Sequence, residues 1–236
     1  MLSLWHTVPM SAAGVRARVR AEMTDEIKTV ARRHLAAEGA NLSLRAVARD
    51  LGMASSAVYR YFASRDELLT ALIIDAYDAV GAAAERAVDG VPGHTDRLLA
   101  LSHAVREWAL AEPYQWALIY GSPVPGYHAP QDTVGPATRV IMLIVAIVQD
   151  AARAGAIELG PPITGRYADE LAAAGAALGD QVPPQLVGST FAAFVHLCGA
   201  VSTELFGQLD KTVDDDRRGF FDFQMRGAAR LIGLTS

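Results

Sequence analysis

Residues 43–62, SLRAVARDLGMASSAVYRYF, decide how the rest of the chain is read. Leu44, Val47, Ala48 and Leu51 recur at spacings of three and four, which places them on one face of a helix. Gly52 follows, and glycine lets a chain turn through a left-handed conformation at little steric cost. Val58, with Tyr61 and Phe62, gives a second helix its own buried face. Ala48 stands where the two helices cross, and its small side chain permits close approach. Two crossed helices around a glycine turn make a helix-turn-helix, whose second helix enters the DNA major groove. An ordinary helical hairpin shares this spacing, so the flanking residues matter.

They are informative. Phe62-Ala63 runs directly into Ser64-Arg65-Asp66-Glu67, a Ser-x-x-Glu capping box that starts a new helix. Gly52, Val58, Tyr59, Tyr61, Phe62, Ser64, Arg65, Glu67 and Leu68, preceded by Ala46-Val47-Ala48, resemble the tetracycline-repressor (TetR) family of regulators over about residues 20–75. The resemblance implies an all-α fold. Residues 1–15 would be a flexible N-terminus, 16–70 a helix-turn-helix DNA-binding domain, and 71–236 a larger helical domain for ligand binding and dimerisation. It also places DNA contacts at Ser43 and Arg45 on the supporting helix, and at Ala54, Ser55, Ser56, Ala57, Tyr59 and Arg60 on the recognition helix. Arg65, at the start of the next helix, completes the set.

Chemistry divides these residues by role. Phosphate contacts fix register and base-edge contacts read sequence. The Tyr59 hydroxyl, Ser43 and Arg65 suit phosphate oxygens, whereas Arg45 and Arg60 are long enough for guanine O6 and N7. Members of the family often carry a lysine where Ser55 stands, so one charged contact is missing here. With Ser55 and Ala57 short, discrimination falls to Arg45 and Arg60. Core packing is the competing role for Tyr59, and Phe62 reads as packing. Arg16, Arg18 and Arg20 read equally well as an arm toward the DNA backbone or as a solvated tail.

The net charge of −5 conceals an asymmetry. Residues 16–65 hold ten Lys and Arg against five Asp and Glu, while residues 76–236 hold eleven against eighteen. A basic head on an acidic body is compatible with DNA, because only the docking face must attract phosphate. Apolar residues make up 51% of the chain, enough for a substantial core. The longest unbroken apolar run, Val140–Val148, falls far short of the ~20 residues that span a bilayer. Residues 1–10 lack the pattern of a signal peptide, and Met10 reads as an alternative start. The lone Cys198 rules out an intrachain disulfide. A soluble cytoplasmic protein without a membrane partner is expected.

Periodicity and turn residues predict helices throughout: from Arg16 or Thr24 to Glu38, ended by Gly39, then 44–51, 54–62, 64–87, 95–111, 113–120, 134–154, 165–178, 185–209 and 214–233. In the 185–209 helix, Phe191, Phe194, Val195, Cys198, Val201 and Leu205 form an apolar stripe. Gly188, Ala192, Gly199 and Thr203 form a face of small residues suited to close approach of a partner subunit. Phe220, Gly227 and Leu231 of the last helix would complete a two-fold four-helix interface. Phe194-x-x-Leu197-Cys198-Gly199 resembles a TetR C-terminal group named for a Trp-x-x-Leu-His-Gly run, with two of its three naming residues replaced.

Trp108, Trp116, Tyr120 and Tyr127, together with Met142, Phe191, Phe194 and Cys198, are the candidate lining of a pocket for an unidentified small molecule. Ordinary core packing is the alternative for each. Cys198 reads as a buried structural thiol or as a redox sensor. His196 and Cys198, two apart on a helix, point to different faces and make no metal pair. No cofactor or metal is expected, and catalysis is not. Nucleophile-elbow, zinc-helix, Walker and dinucleotide motifs do not occur in the sequence. The expected function is a ligand-responsive, homodimeric regulator, most simply a repressor released from a palindromic double-stranded DNA operator. The rival is a helical small-molecule-binding protein or enzyme without operator binding.

Overall fold

The computed structural model describes residues 12–38, 42–177 and 182–235. Among these residues the chain forms helices α1 (Ala12–Glu38), α2 (Leu44–Asp50), α3 (Ser55–Val58), α4 (Arg65–Val88), α5 (His94–Ala111), α6 (Pro113–Tyr120), α7 (Val134–Arg153), α8 (Arg166–Ala177), α9 (Pro184–Leu205) and α10 (Arg217–Ile232). No strand forms among them, and the single β-bridge joins Ile157 to Leu234. The chain divides into two compact units, Met1–Leu72 and Ile73–Ser236, and α4 has residues in both.

In the first unit, Ile27, Val30, Ala31 and Leu35 of α1 are buried together with Leu44, Val47, Ala48, Val58, Phe62, Leu68 and Leu69. Gly52 adopts φ +65°, where a β-branched side chain would be strained. The Ser64 half of the capping box forms, while the Glu67 carboxylate reaches one residue further back, to Ala63. The Glu67 amide donates to Ser64 Oγ at 3.1 Å, and the Ala63 amide donates to Glu67 Oε2 at 2.5 Å. Caps of this type contribute about 1 kcal/mol each. They fix where α4 begins.

Two local expectations change. Residues 12–15 belong to α1 rather than to a flexible tail, and Arg16, Arg18 and Arg20 stand on that helix instead of forming an arm. Arg20 Nη2 donates to the Arg60 carbonyl at 3.1 Å, and its guanidinium lies 5.1 Å from the Tyr61 ring centre. The stop at Gly39 lies outside the described residues. The recognition helix is also shorter than 54–62. After Val58 the amides of Arg60 and Tyr61 bond three residues back, to Ala57 and Val58, so the α-helix tightens into turns. β-Branched and aromatic residues at 58–61 give that segment little helical propensity.

The second unit is built on α4, α5, α6, α7, α9 and α10. Leu101, Val105, Trp116, Ile144, Ile147, Leu197, Val201, Met225 and Ile232 lie at its centre. The expected stripe on α9 holds in part, since Phe194, Cys198, Val201 and Leu205 pack in or against the core. Phe191 and Val195 are exposed, while Leu186, Ala193, Leu197, Ala200, Val201 and Glu204 face inward. α9 is apolar on two faces, so spacing alone could not tell the inner from the outer.

Unbroken apolar runs also understate two helices. Gln131–Arg153 and Pro184–Leu205 are long and apolar enough to cross a bilayer by length and composition. Each places one face in the unit's core, through Val140, Ile144, Ile147 and Val148 in the first and Leu186, Ala193 and Leu197 in the second. Such amphipathic use is what a core helix requires.

Ion pairs tie distant segments together. Arg106 of α5 donates through Nε and Nη2 to Glu204 of α9, at 2.7 and 2.5 Å, with both side chains buried. The Arg106 guanidinium also lies 5.6 Å from the Phe221 ring centre. Arg139 of α7 reaches α4, donating to Asp78 Oδ1 at 2.7 Å and to the two Glu85 carboxylate oxygens at 3.0 and 2.7 Å. Gly81 makes room for it, since a Cβ there would lie 2.9 Å from Arg139 Cβ.

Candidate nucleic-acid interface and body cleft

The apolar sides of α2 and α3 are used up in holding the pair together, which turns their polar residues outward. Leu44, Val47, Ala48 and Val58 are buried, while Ser43, Arg45, Ala54, Ser55, Ser56, Tyr59 and Arg60 are exposed and Ala57 and Arg65 half-buried. All nine candidate DNA contacts therefore reach the surface of the first unit. Tyr59 is 46% exposed, so it is not a core residue. Phe62, at 5%, is.

α2 is pinned from behind. His34 of α1, itself buried, sits 2.8 Å from Asp50 Oδ2 at the end of α2. That hydrogen bond holds the Asp50 carboxyl below its ordinary range. A group shifted this way adds stability above its unfolded pKa and loses it as pH falls through the folded value. This anchor is therefore intact at neutral pH.

Most of the expected ligand residues come together, but as a packed cluster. Trp116 is fully buried, its indole Nε1 donating to Ser202 Oγ at 3.0 Å, and its ring centre lies 4.4 Å from that of Tyr120. Tyr77 and Phe194 meet Tyr120 edge-on. Trp108 and Cys198 pack against the same core, and Tyr127 is half-buried. Burial raises the Tyr77 and Tyr120 hydroxyls, and it pushes the Cys198 thiol up to about 12. A thiol so shifted stays protonated at neutral pH, contrary to what a reactive cysteine needs. This cluster is a packed core.

Met142 and Phe191 of the expected set line a cavity. It lies between α7, α8 and α9, with a volume of about 360 Å³. The residues missed on α7, among them Ile141, Val145 and Val148, were signalled by the apolar run 140–148, whose outer face had no assigned partner. Leu171 and Ala174 come from an alanine-rich helix that spacing alone leaves featureless.

The candidate interface residues on α9 and α10 are mixed. Ala192, Gly199 and Leu231 are exposed, while Thr203, Phe220 and Gly227 are half-buried. Gly188 faces α8 in its own chain, where a Cβ would meet Leu171 Cδ1 at 3.1 Å. Phe191, Val195, Phe223 and Leu231, each more than half exposed, add apolar surface on these helices.

A basic unit that presents a helix-turn-helix, joined to an all-helical body, defines a DNA-binding regulator. Two family models agree. Residues 27–72 match bacterial regulatory proteins of the tetR family, and residues 98–228 match the tetracyclin repressor-like C-terminal domain. The chain is 40% identical over 218 residues to the HTH-type transcriptional regulators Rv1816 of Mycobacterium tuberculosis (strain ATCC 25618 / H37Rv) and Mb1846 of Mycobacterium bovis, covering 90% of this chain and 93% of each relative. Among solved structures, regulatory protein SCO4313 superposes with a TM-score of 0.72 at 31% identity, over 90% of this chain and 98% of that one. A tetR-family regulatory protein from Rhodococcus RHA1 shares the fold at a TM-score of 0.64 and 18% identity, covering 90% and 98%. The chain belongs to the TetR family of transcriptional regulators, a class of DNA-binding proteins rather than enzymes.

Proposed function

We propose that the protein is a cytoplasmic, homodimeric repressor that a small molecule releases from a palindromic operator. The observation that carries this reading is the joint exposure of Ser43, Arg45, Ser55, Ser56, Tyr59 and Arg60 around a buried apolar seam. In the dimer, two copies of α3 enter successive major grooves about 34–36 Å apart. Exposed apolar residues on α9 and α10 supply the self-complementary patch that two-fold symmetry needs. The cavity lies against α7, and Arg139 ties α7 to α4, the helix that begins at the capping box. A ligand that favours one position of α7 therefore biases α4. A coupling of about 1–3 kcal/mol suffices for a useful response.

The dimer is tested with Ala192→Glu, which places two carboxylates across the proposed symmetry axis. Sedimentation should show a dimeric parent and a monomeric, folded variant with operator affinity reduced at least about tenfold. A variant that stays dimeric and binds DNA as the parent does would remove α9 from the interface.

A further inference from the structure

We infer that the cleft between α7, α8 and α9 takes an elongated, uncharged, predominantly aliphatic molecule. The inference rests on reading the body as an effector sensor, and it deepens that reading by naming the chemistry. Its α7 wall runs from Thr138 through Ile141, Met142, Val145 and Val148 to Gln149. At 1.5 Å per residue this stripe is roughly 16 Å long. Leu171, Ala174, Val182 and Val187 form the facing wall, with Phe191 the single aromatic ring among the described residues. An aliphatic chain fits such a wall, whereas a stacked aromatic ligand would find one partner.

The polar groups set the charge. Among the described residues no lining side chain is ionisable. Thr190 donates its hydroxyl proton to the Leu186 carbonyl at 2.7 Å, and Thr138 donates to Val134 and Gly135 at 3.1 and 2.9 Å. Neither hydroxyl has a proton left for a ligand. Charged neighbours on α7 are engaged elsewhere, Arg139 with Asp78 and Glu85 and Asp150 with Arg97 and Arg153. A carboxylate or ammonium entering the cleft would shed water without gaining a counter-ion. The Gln149 carboxamide, at one end of the stripe, can meet one neutral oxygen.

The test measures binding of straight-chain primary alcohols of eight to fourteen carbons to the full chain by calorimetry, with the matching carboxylates at pH 8 as controls. Saturable binding of at least one alcohol is expected, at least about tenfold tighter than its carboxylate. Val145→Trp, which fills the cleft, should remove that binding while leaving the melting temperature and oligomeric state unchanged. Absence of binding by every alcohol, carboxylates binding as well as alcohols, or a Val145→Trp variant with unaltered binding or an altered oligomeric state would each overturn the assignment. An alcohol that binds in this way yet leaves the operator complex intact would keep the cleft chemistry and refute the sensor reading.

Discussion

Replacing Glu204 by alanine should destabilise the helical body by about 3–5 kcal/mol, the usual effect of leaving a buried charge without its partner. Arg106 cannot escape to water, because α5, α9 and the Phe221 ring enclose it and its side chain is 9% exposed. Denaturant unfolding followed by tryptophan fluorescence reads the change, since Trp108 and Trp116 both lie in this unit. The double replacement Arg106→Met with Glu204→Leu removes both charges and should recover most of the loss. A Glu204→Ala effect below 1 kcal/mol would mean that the pair is solvated rather than buried.

The second large effect concerns DNA. Arg45→Ala combined with Arg60→Ala should weaken operator binding by at least about 2 kcal/mol per half-site, since each guanine contact is worth roughly 1–3 kcal/mol. Both side chains are exposed, so stability should change little. The loss should be confined to cognate DNA and leave non-specific binding much less affected. A uniform loss on all sequences would instead make both arginines phosphate ligands. Mobility-shift titrations on cognate and scrambled DNA at one salt concentration separate the outcomes.

The head is legible in the sequence because its determinants are local. Leu44, Val47, Ala48, Gly52 and Ser64 act within one or two helical turns of one another, and each does in the structure what its spacing implies. The length of α3 is less legible. Val58–Tyr61 sits near the balance between α-helical and tighter turns, which spacing alone does not resolve. The body resists reading for a different reason. Arg106 and Glu204 are 98 positions apart, and Arg139 is 61 from Asp78, so no local pattern announces either pair. The aromatic cluster is ambiguous in a similar way. Trp116 and Tyr120 can line a pocket or fill a core, and only the position of α9 settles which. The cavity formed instead where α7 and α9 show a second apolar face to the small residues of α8.

The central claim is that two copies of this helix-turn-helix read a two-fold DNA site. Hydroxyl-radical footprinting on a genomic fragment selected by the protein tests it most directly. Two protected patches related by dyad symmetry are expected, with centres about 34–36 Å apart along the duplex. A single asymmetric patch, or protection that moves with the fragment ends and ignores sequence, would contradict it.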